Sequence, residues 1–391
     1  MPEAYIVSAR RTAGGRRNGR LAGWHPADLG ATVINALLAD SGIDPAAVDD
    51  VIFGCVSQVG EQTFALGRNV VLASNLPNSV PAVTIDRQCG SSQQALHFAA
   101  QAVMSGTQDI VIAGGVESMT RVPMGSPITL AQAGGINFNP FSDTIQKRYG
   151  VVMFNQFAGA QMIADKYGFT REDHDRFALA SHQKAAAATQ AGAFDAEIVP
   201  VRVVTADGED VIHDRDEGIR ADSTLESIGS VKLLSENGTL SAATASQICD
   251  GASGVLVASA EAVKAHGLTP IARVVSLAVT AGDPVVMLEE PIPATRRVLA
   301  RAGLTMADID LFEVNEAFAS IPLAWEKALS ADPAKLNVNG GAIALGHPLG
   351  ATGTKLMATL IHALRARGGR YGLQTMCEGG GMANATIVEV L

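Results

Sequence analysis

The stretch GIDPAAVDDVIF, residues 42–53, is matched 261 positions later (303 − 42) by GLTMADIDLFEV, residues 303–314. The same offset aligns the apolar run IVIA at 110–113 with YGLQ at 371–374, and the segment around Cys89 with GATG at 350–353. Two further pairs of runs resemble each other: AYIVS at 4–8 with ARVVS at 272–276, and GVLV at 254–257 with ATIV at 385–388. Because separate elements share one offset, we infer an internal duplication.

Within each half, apolar strand-like runs alternate with amphipathic stretches of helical length, such as residues 29–41 and 294–302. This alternation is typical of βαβ units and parallel sheets. The first half is interrupted by residues 120–245, and long excursions of this kind commonly carry binding or oligomer contacts. We therefore expect one half from 1–119 with 246–268, an inserted loop domain at 120–245, and a second half at 269–391.

The composition excludes several classes of protein. Of the 391 residues, 47% are hydrophobic and 17% are charged, which indicates a folded globular chain. The net charge of −10 argues against a nucleic-acid partner, because phosphate binding needs a basic surface. A basic stretch is expected to be a solvated loop after the first strand; it contains Arg10, Arg11, Arg16, Arg17 and Arg20.

The chain enters a strand-like run at once and has no apolar stretch long enough to cross a bilayer. We therefore expect a cytoplasmic protein with no membrane partner. The four cysteines, Cys55, Cys89, Cys249 and Cys377, have no CxxC spacing and are expected to be free thiols, buried or catalytic.

The segment DRQCGSSQQAL, residues 86–96, places Cys89 between an apolar strand and a helical pattern. A helix N-terminus is expected to lower the pKa of this thiol and to offer free N–H groups to an oxyanion. A single cysteine taken alone is more commonly a small buried apolar residue.

Three further segments carry candidate chemistry. GGAIALGHPLGATG at 340–353 surrounds His347, which can act as a base toward a thiol or donate to an oxyanion. TMCEGGG at 375–381 places Cys377 before three glycines, which allow close approach of backbone amides to a ligand. In VNEAFA at 314–319, Asn315 can orient a water or substrate oxygen, or cap a helix.

Together and in this order, the four motifs resemble those of the thiolase family of acetyl-CoA acetyltransferases and 3-ketoacyl-CoA thiolases. The resemblance covers the whole chain. It implies an α/β fold of two duplicated βαβαβαββ halves, forming a five-layered α-β-α-β-α structure with an inserted loop domain. It also implies that Cys89 is the acylated nucleophile, Cys377 the second acid/base, and His347 the activator of Cys89 and an oxyanion donor. Asn315 would hold a water in the same oxyanion hole, and the amides of Cys89 and Gly379 would form a second one.

The same resemblance implies acyl-CoA substrates, with coenzyme A as co-substrate lying across the inserted domain and no permanently bound cofactor. Arg220 is a candidate contact to the nucleotide and Ser246 to the pantetheine, while Met287 and Phe318 would line the acyl pocket. Arg220 could instead be a surface charge and Ser246 a turn residue. Met287 and Phe318 could simply be core residues. No metal is expected, because the eight histidines lack ligand spacing. The family forms homodimers and homotetramers.

One departure from the family bears on the substrate. Many members carry a methionine where this chain reads FNQF at 154–157, and SQQ follows at 92–94 after the Cys89 turn. We expect a degradative thiolase of fatty acid, lipid or steroid breakdown, acting on a bulky or long 3-ketoacyl-CoA. The alternatives are a biosynthetic acetoacetyl-CoA thiolase, a related condensing enzyme, and a catalytically silent acyl-CoA- or lipid-binding protein on the same scaffold. The presence of all four reactive groups disfavours the silent protein.

Overall fold

The computed structural model describes residues 2–205 and 207–391. Its strands are β1 (Ala4–Thr12), β2 (Gly15–Arg16), β3 (Asp50–Gly54), β4 (Ala82–Ile85), β5 (Ile110–Ser118), β6 (Ile198–Val199), β7 (Val201–Val204), β8 (Asp210–His213), β9 (Cys249–Ser259), β10 (Ala272–Ala281), β11 (Leu311–Val314), β12 (Tyr371–Glu378) and β13 (Met382–Val390).

The α-helices are α1 (Pro26–Ser41), α2 (Leu66–Ala73), α3 (Ser91–Ser105), α4 (Ser126–Ala133), α5 (Asp143–Tyr149), α6 (Gln156–Tyr167), α7 (Arg171–Gln190), α8 (Leu225–Gly229), α9 (Ala260–Ala265), α10 (Pro291–Ala302), α11 (Ser320–Leu329), α12 (Ala342–Leu345) and α13 (Thr352–Arg367).

The main strands form two halves of the same topology. The first half has the strand order β4-β3-β5-β9-β1 and the second has β11-β12-β13-β10. Beyond β11, Leu336 makes an isolated parallel bridge to Phe312, so it occupies the position that β4 has in the first half. The halves join where β1 pairs antiparallel with β10, with Tyr5 opposite Arg273.

The duplication extends to local detail and confirms the sequence inference. Asp49 accepts hydrogen bonds from the backbone N–H groups of residues 109 and 110, and Asp310 accepts them from residues 370 and 371. Each aspartate therefore fixes the start of the strand that follows 61 positions later. A β-bulge interrupts β1 between Ile6 and Ser8 and β10 between Val274 and Ser276.

Packing of helices on both faces of the sheets gives five layers. Helices α1 and α2 cover the outer face of the first half, and α10 and α11 cover the outer face of the second. Between the halves lie α3 and α13, whose apolar side chains share one core with strands from both. Helix α3 presents Ala95, Leu96, Ala99, Ala100 and Val103 to this core, at the spacing of one helical face. This architecture confirms the predicted fold class.

The segment between β5 and β9 carries α4–α8 and β6–β8, with β7 and β8 paired in a small sheet of their own. Strand β6 pairs parallel with β1, which fastens the segment to the first half. The predicted boundaries at 119–120 and 245–246 fall inside the connections that flank it, and the division into domains stays a prediction. Within the residues described, no helix is long and apolar enough to cross a membrane.

The expectation that the basic stretch is a solvated loop is wrong for its first two members, because β1 extends to Thr12. Arg10 is partly buried and pairs with Asp40. Arg11 is fully buried, with its Nε atom 2.5 Å from Glu197 Oε1 and its Nη1 atom 2.9 Å from Asp216 Oδ1. A strand of the first half thus anchors the inserted segment through a buried ion-pair cluster.

Candidate active site

A cavity of about 660 Å³ opens where the two halves and the inserted segment meet. Its lining combines reactive, aromatic and basic side chains and includes Cys89, His347, Phe318, Phe157, Ser246 and Arg220. Arg16 and Arg17, both exposed, border the same cavity. The cavity therefore joins a thiol and an imidazole to a basic outer rim.

Cys89 sits in a tight turn between β4 and α3. Gln88 has φ of 49°, in the left-handed region, and Gly90 is the N-cap of α3. The Oγ of Ser91 accepts a hydrogen bond from the N–H of Arg87 at 2.9 Å and donates one to the carbonyl of Gln88 at 2.7 Å. This double contact closes the turn and holds the thiol at the N-terminus of α3.

The environment of the Cys89 thiol opposes its ionisation. Burial, and then the carboxyl of Glu378, raise the pKa of Cys89 to about 12, while its own backbone N–H acts in the opposite direction. The expectation that the helix N-terminus lowers this pKa is therefore wrong for the unliganded protein. Desolvation by the surrounding protein outweighs the favourable helix end.

His347 follows Gly346, which is the C-cap of α12 and has a φ of 78°. The backbone N–H of His347 donates to the carbonyl of Gln247 at 3.0 Å. Its imidazole Nδ1 lies 2.5 Å from Thr352 Oγ1. Because the Thr352 hydroxyl donates to the Pro348 carbonyl at 2.8 Å, its oxygen accepts from the Nδ1–H of His347. We assign the Nδ1-protonated tautomer on this network, which leaves a lone pair on Nε2.

Burial, and then the nearby Lys355 ammonium, lower the pKa of His347 to about 3. The Lys355 Nζ donates to the carbonyl of Leu345 at 2.5 Å and to that of Gly346 at 3.1 Å, immediately before the histidine. Both shifts favour a neutral thiol and a neutral imidazole over a thiolate–imidazolium pair.

Cys377, Asn315 and Gly379 are not among the residues that line this cavity. Cys377 is fully buried, and burial, followed by the charge of Cys89, raises its pKa well above the ordinary value. A Cβ built on Gly379 would lie 2.9 Å from Gln88 Oε1, so the glycine loop packs against the Cys89 turn.

Asn315 is 1% exposed, and among the residues described neither its side-chain nitrogen nor its oxygen has a hydrogen-bond partner. It does not cap the following helix, because α11 begins at Ser320 with Ala319 as its N-cap. The capping alternative is therefore excluded. A buried amide with both ends free suits a ligand or water contact.

The predicted binding residues separate into two groups. Ser246, Arg220 and Phe318 line the cavity, and Phe318 packs edge-on against Phe157 with ring centroids 5.4 Å apart. Met287 does not line it; this residue is buried in an apolar cluster with Phe318 and Cys377. Residues 92–94 are also turned away, since Gln93 donates to Thr386 of β13 at 2.8 Å.

Sequence reasoning missed several residues that shape the site. Thr352 and Lys355 hold the His347 loop, and both lie within nine residues of it on α13. Arg16 and Arg17 reach the cavity although their loop is far from it in sequence. Only the positive charge of Arg16 and Arg17 could have indicated this role. From the sequence alone, charged residues in a loop are predicted to face solvent.

One family model matches each half of the duplicated fold. The thiolase N-terminal domain model matches residues 4–261, and the thiolase C-terminal domain model matches residues 268–390. The chain therefore belongs to the thiolase family.

Three relatives match the chain over 95% or more of their own length. The steroid 3-ketoacyl-CoA thiolase of Mycobacterium tuberculosis is 53% identical, over 100% of this chain and 95% of that protein. The 3-ketoacyl-CoA thiolase of Cronobacter sakazakii and the beta-ketoadipyl-CoA thiolase of Pseudomonas putida are each 43% identical, over 100% of both chains.

Proposed function

We propose that the enzyme cleaves a bulky 3-ketoacyl-CoA with coenzyme A, giving acetyl-CoA and a shortened acyl-CoA through an acyl-Cys89 intermediate. The observation that carries the proposal is one cavity bordered by Cys89, His347, aromatic side chains and exposed arginines. The steroid substrate named for the 53% identical relative supports a bulky acyl group.

In the first step, the Cys89 sulfur bonds to the 3-keto carbon while its proton passes to His347 Nε2. Collapse of the adduct breaks the bond between Cα and Cβ and leaves the enolate of acetyl-CoA. The His347 imidazolium and a water held by Asn315 stabilise the enolate oxygen, and the Cys377 thiol protonates the enolate carbon. The lone pair on Nε2 supports this role for His347, because Thr352 occupies the opposite nitrogen.

In the second step, the Cys377 thiolate takes the proton of an incoming coenzyme A thiol. The coenzyme A sulfur attacks the acyl carbon, and the amides of Cys89 and Gly379 stabilise the resulting oxyanion. The bond to Cys89 then breaks, and the sulfur recovers its proton from His347. This sequence returns every group to its starting state and predicts ping-pong kinetics.

For coenzyme A we propose that Arg220 contacts the nucleotide phosphates and Ser246 the pantetheine. Both residues line the cavity, and Arg16 and Arg17 extend the same basic rim. Arginine side chains suit this role because their guanidinium groups form charge-assisted hydrogen bonds to phosphate. The aromatic pair Phe157 and Phe318 would contact the acyl portion.

We also propose that the protein is a cytoplasmic homodimer or homotetramer. Support for self-association comes from β4, which ends the strand order of the first half, and from exposed apolar side chains close to it. Phe64 is 90% exposed, Leu72 is 54% exposed and Val83 is 44% exposed. Light scattering of the wild type and of Val83→Asp would test the association through this edge.

The test of the proposed reaction is coenzyme A-dependent thiolysis of acetoacetyl-CoA and of a ring-bearing 3-ketoacyl-CoA. A higher kcat/KM for the bulky substrate supports the proposal, and Cys89→Ala should abolish both reactions. A higher kcat/KM for acetoacetyl-CoA would instead assign a biosynthetic type of pocket.

A further inference from the structure

Glu378 ends β12 directly after Cys377 and is fully buried. Among the residues described, neither of its carboxyl oxygens has a hydrogen bond of good geometry, and the backbone N–H of Asn384 is the nearby donor that favours the ionised form. The carboxyl packs against the turn of the nucleophile, since a Cβ built on Gly90 would lie 1.9 Å from Glu378 Oε1. The absence of a Cβ at Gly90 therefore leaves room for this carboxyl group next to Cys89.

The other half of the fold provides a direct comparison. Glu117 precedes Glu378 by the same 261 positions that relate the two halves, and it is the last residue but one of the equivalent strand β5. Its carboxylate accepts hydrogen bonds from the N–H groups of Val56, Ser57 and Gly350. Gln62 donates a fourth, at 3.0 Å. The fold can thus satisfy a carboxylate at this position, and it does so far more fully for Glu117 of the first half than for Glu378 of the second.

Few charges near Glu378 can compensate its ionisation. Arg87 is the nearby cation, but it forms no ion pair with Glu378 within 4 Å in the described part of the chain. Asp86 and the two thiols, Cys89 and Cys377, are the other titratable groups that face it, and each would add negative charge. Burial accordingly raises the pKa of Glu378 well above its ordinary value.

We propose that Glu378 is a positioning residue that controls the ionisation of Cys89, because the carboxyl and the thiol hold at most one negative charge between them. The protonated carboxylic acid permits the thiolate, whereas the carboxylate suppresses it. Two such closely placed acids titrate as a coupled pair. The role of Cys89 as nucleophile rests on the proposed function, whereas the coupling is a property of the unliganded site.

The test is the pH dependence of Cys89 alkylation by iodoacetamide, with the modified residue located by peptide mass spectrometry. In Glu378→Gln the negative charge can reside only on sulfur. Alkylation rates of the wild type and the variant should agree near pH 6 and diverge at higher pH. By pH 9 the variant should react roughly tenfold faster, equivalent to a shift of about one unit in the apparent pKa of the thiol.

Two further variants keep the test decisive. Glu378→Met removes the charge without an amide and should also react faster at alkaline pH. Glu117→Gln is the matched control from the other half. It should lower the thermal midpoint, and because the charge of Glu117 raises the pKa of Cys89 less than that of Glu378 does, it should change the alkylation profile by much less. Identical profiles for the wild type and both Glu378 variants, or slower alkylation in them, would overturn the proposal. Because alkylation needs no turnover, this result is independent of whether thiolysis of any 3-ketoacyl-CoA is observed.

Discussion

The Nδ1 atom of His347 lies 2.5 Å from the Oγ1 of Thr352, and the hydroxyl of this threonine donates to the carbonyl of Pro348. One hydroxyl therefore fixes both the orientation and the tautomer of the imidazole. Among the residues described, Nε2 has no hydrogen-bond partner. The free lone pair on Nε2 thus depends on a residue five positions further along the chain.

Replacing Thr352 with valine should lower kcat/KM for thiolysis by about tenfold to a hundredfold, since it removes the acceptor for a buried N–H group. Thr352→Ser keeps the hydroxyl and should retain most of the activity. Steady-state kinetics of the two variants provide the comparison. Retention of kcat/KM within twofold in the valine variant would show that the threonine does not set the tautomer.

Replacing Arg220 with alanine should raise KM for coenzyme A about tenfold and leave kcat nearly unchanged, because a phosphate contact is lost far from the reacting atoms. The effect should shrink at high ionic strength. Arg202→Ala is the control, since Arg202 is an exposed arginine of β7 paired with Asp210, outside the cavity. Equal changes in the two variants would contradict a specific contact at Arg220.

Arg11 and Arg10 are adjacent but should differ strongly in their contribution to stability. Arg11→Met leaves Glu197 and Asp216 buried without their cation, and should cost about 3–5 kcal/mol of unfolding free energy. Arg10→Met breaks a partly exposed pair with Asp40 and should cost about 1 kcal/mol or less. Denaturant unfolding measures both changes. Similar losses in the two variants would show that the buried cluster is not a structural anchor.

His97 gives a pH-dependent prediction. It is buried between Thr386 and Asn384, and burial, followed by Arg87, lowers its pKa to about 3. Its contribution to stability is therefore present above pH 6.5, where the unfolded histidine is neutral, and is lost as the pH falls toward 3.

The unfolding free energies of wild type and His97→Gln should accordingly converge by on the order of 1 kcal/mol per pH unit between about pH 6 and 4. Buried glutamates with raised pKa values oppose this trend in each protein, but they cancel in the difference. A gap that is constant with pH would mean that His97 is protonated in the folded state.

Much of the fold could be predicted because the internal duplication appears in the sequence as similar segments separated by a constant offset. Residues 42–53 and 303–314 have the same structure for a local reason: Gly42 and Gly303 both end a helix in the left-handed conformation, at φ of 65° and 67°. The strands that follow then read as apolar runs in both halves.

The electrostatics of the site could not be predicted in this way. The pKa of Cys89 depends on burial and on Glu378, which lies in the other half of the fold, and these outweigh the local helix end. Arg11 was read as solvated because its partner Glu197 is 186 residues away. Met287 was placed in the acyl pocket by resemblance, whereas the tertiary packing buries it in an apolar cluster that also contains Phe318.

The central claim is that Cys89 carries the acyl group between the two half-reactions. The most direct test mixes the enzyme with a 3-ketoacyl-CoA in the absence of free coenzyme A, and then maps the protein by peptide mass spectrometry after an acid quench. We expect the mass of the shortened acyl group on the peptide that contains Cys89, with its removal when coenzyme A is added. An acyl group on Cys377, or undiminished thiolysis by Cys89→Ala, would contradict the claim.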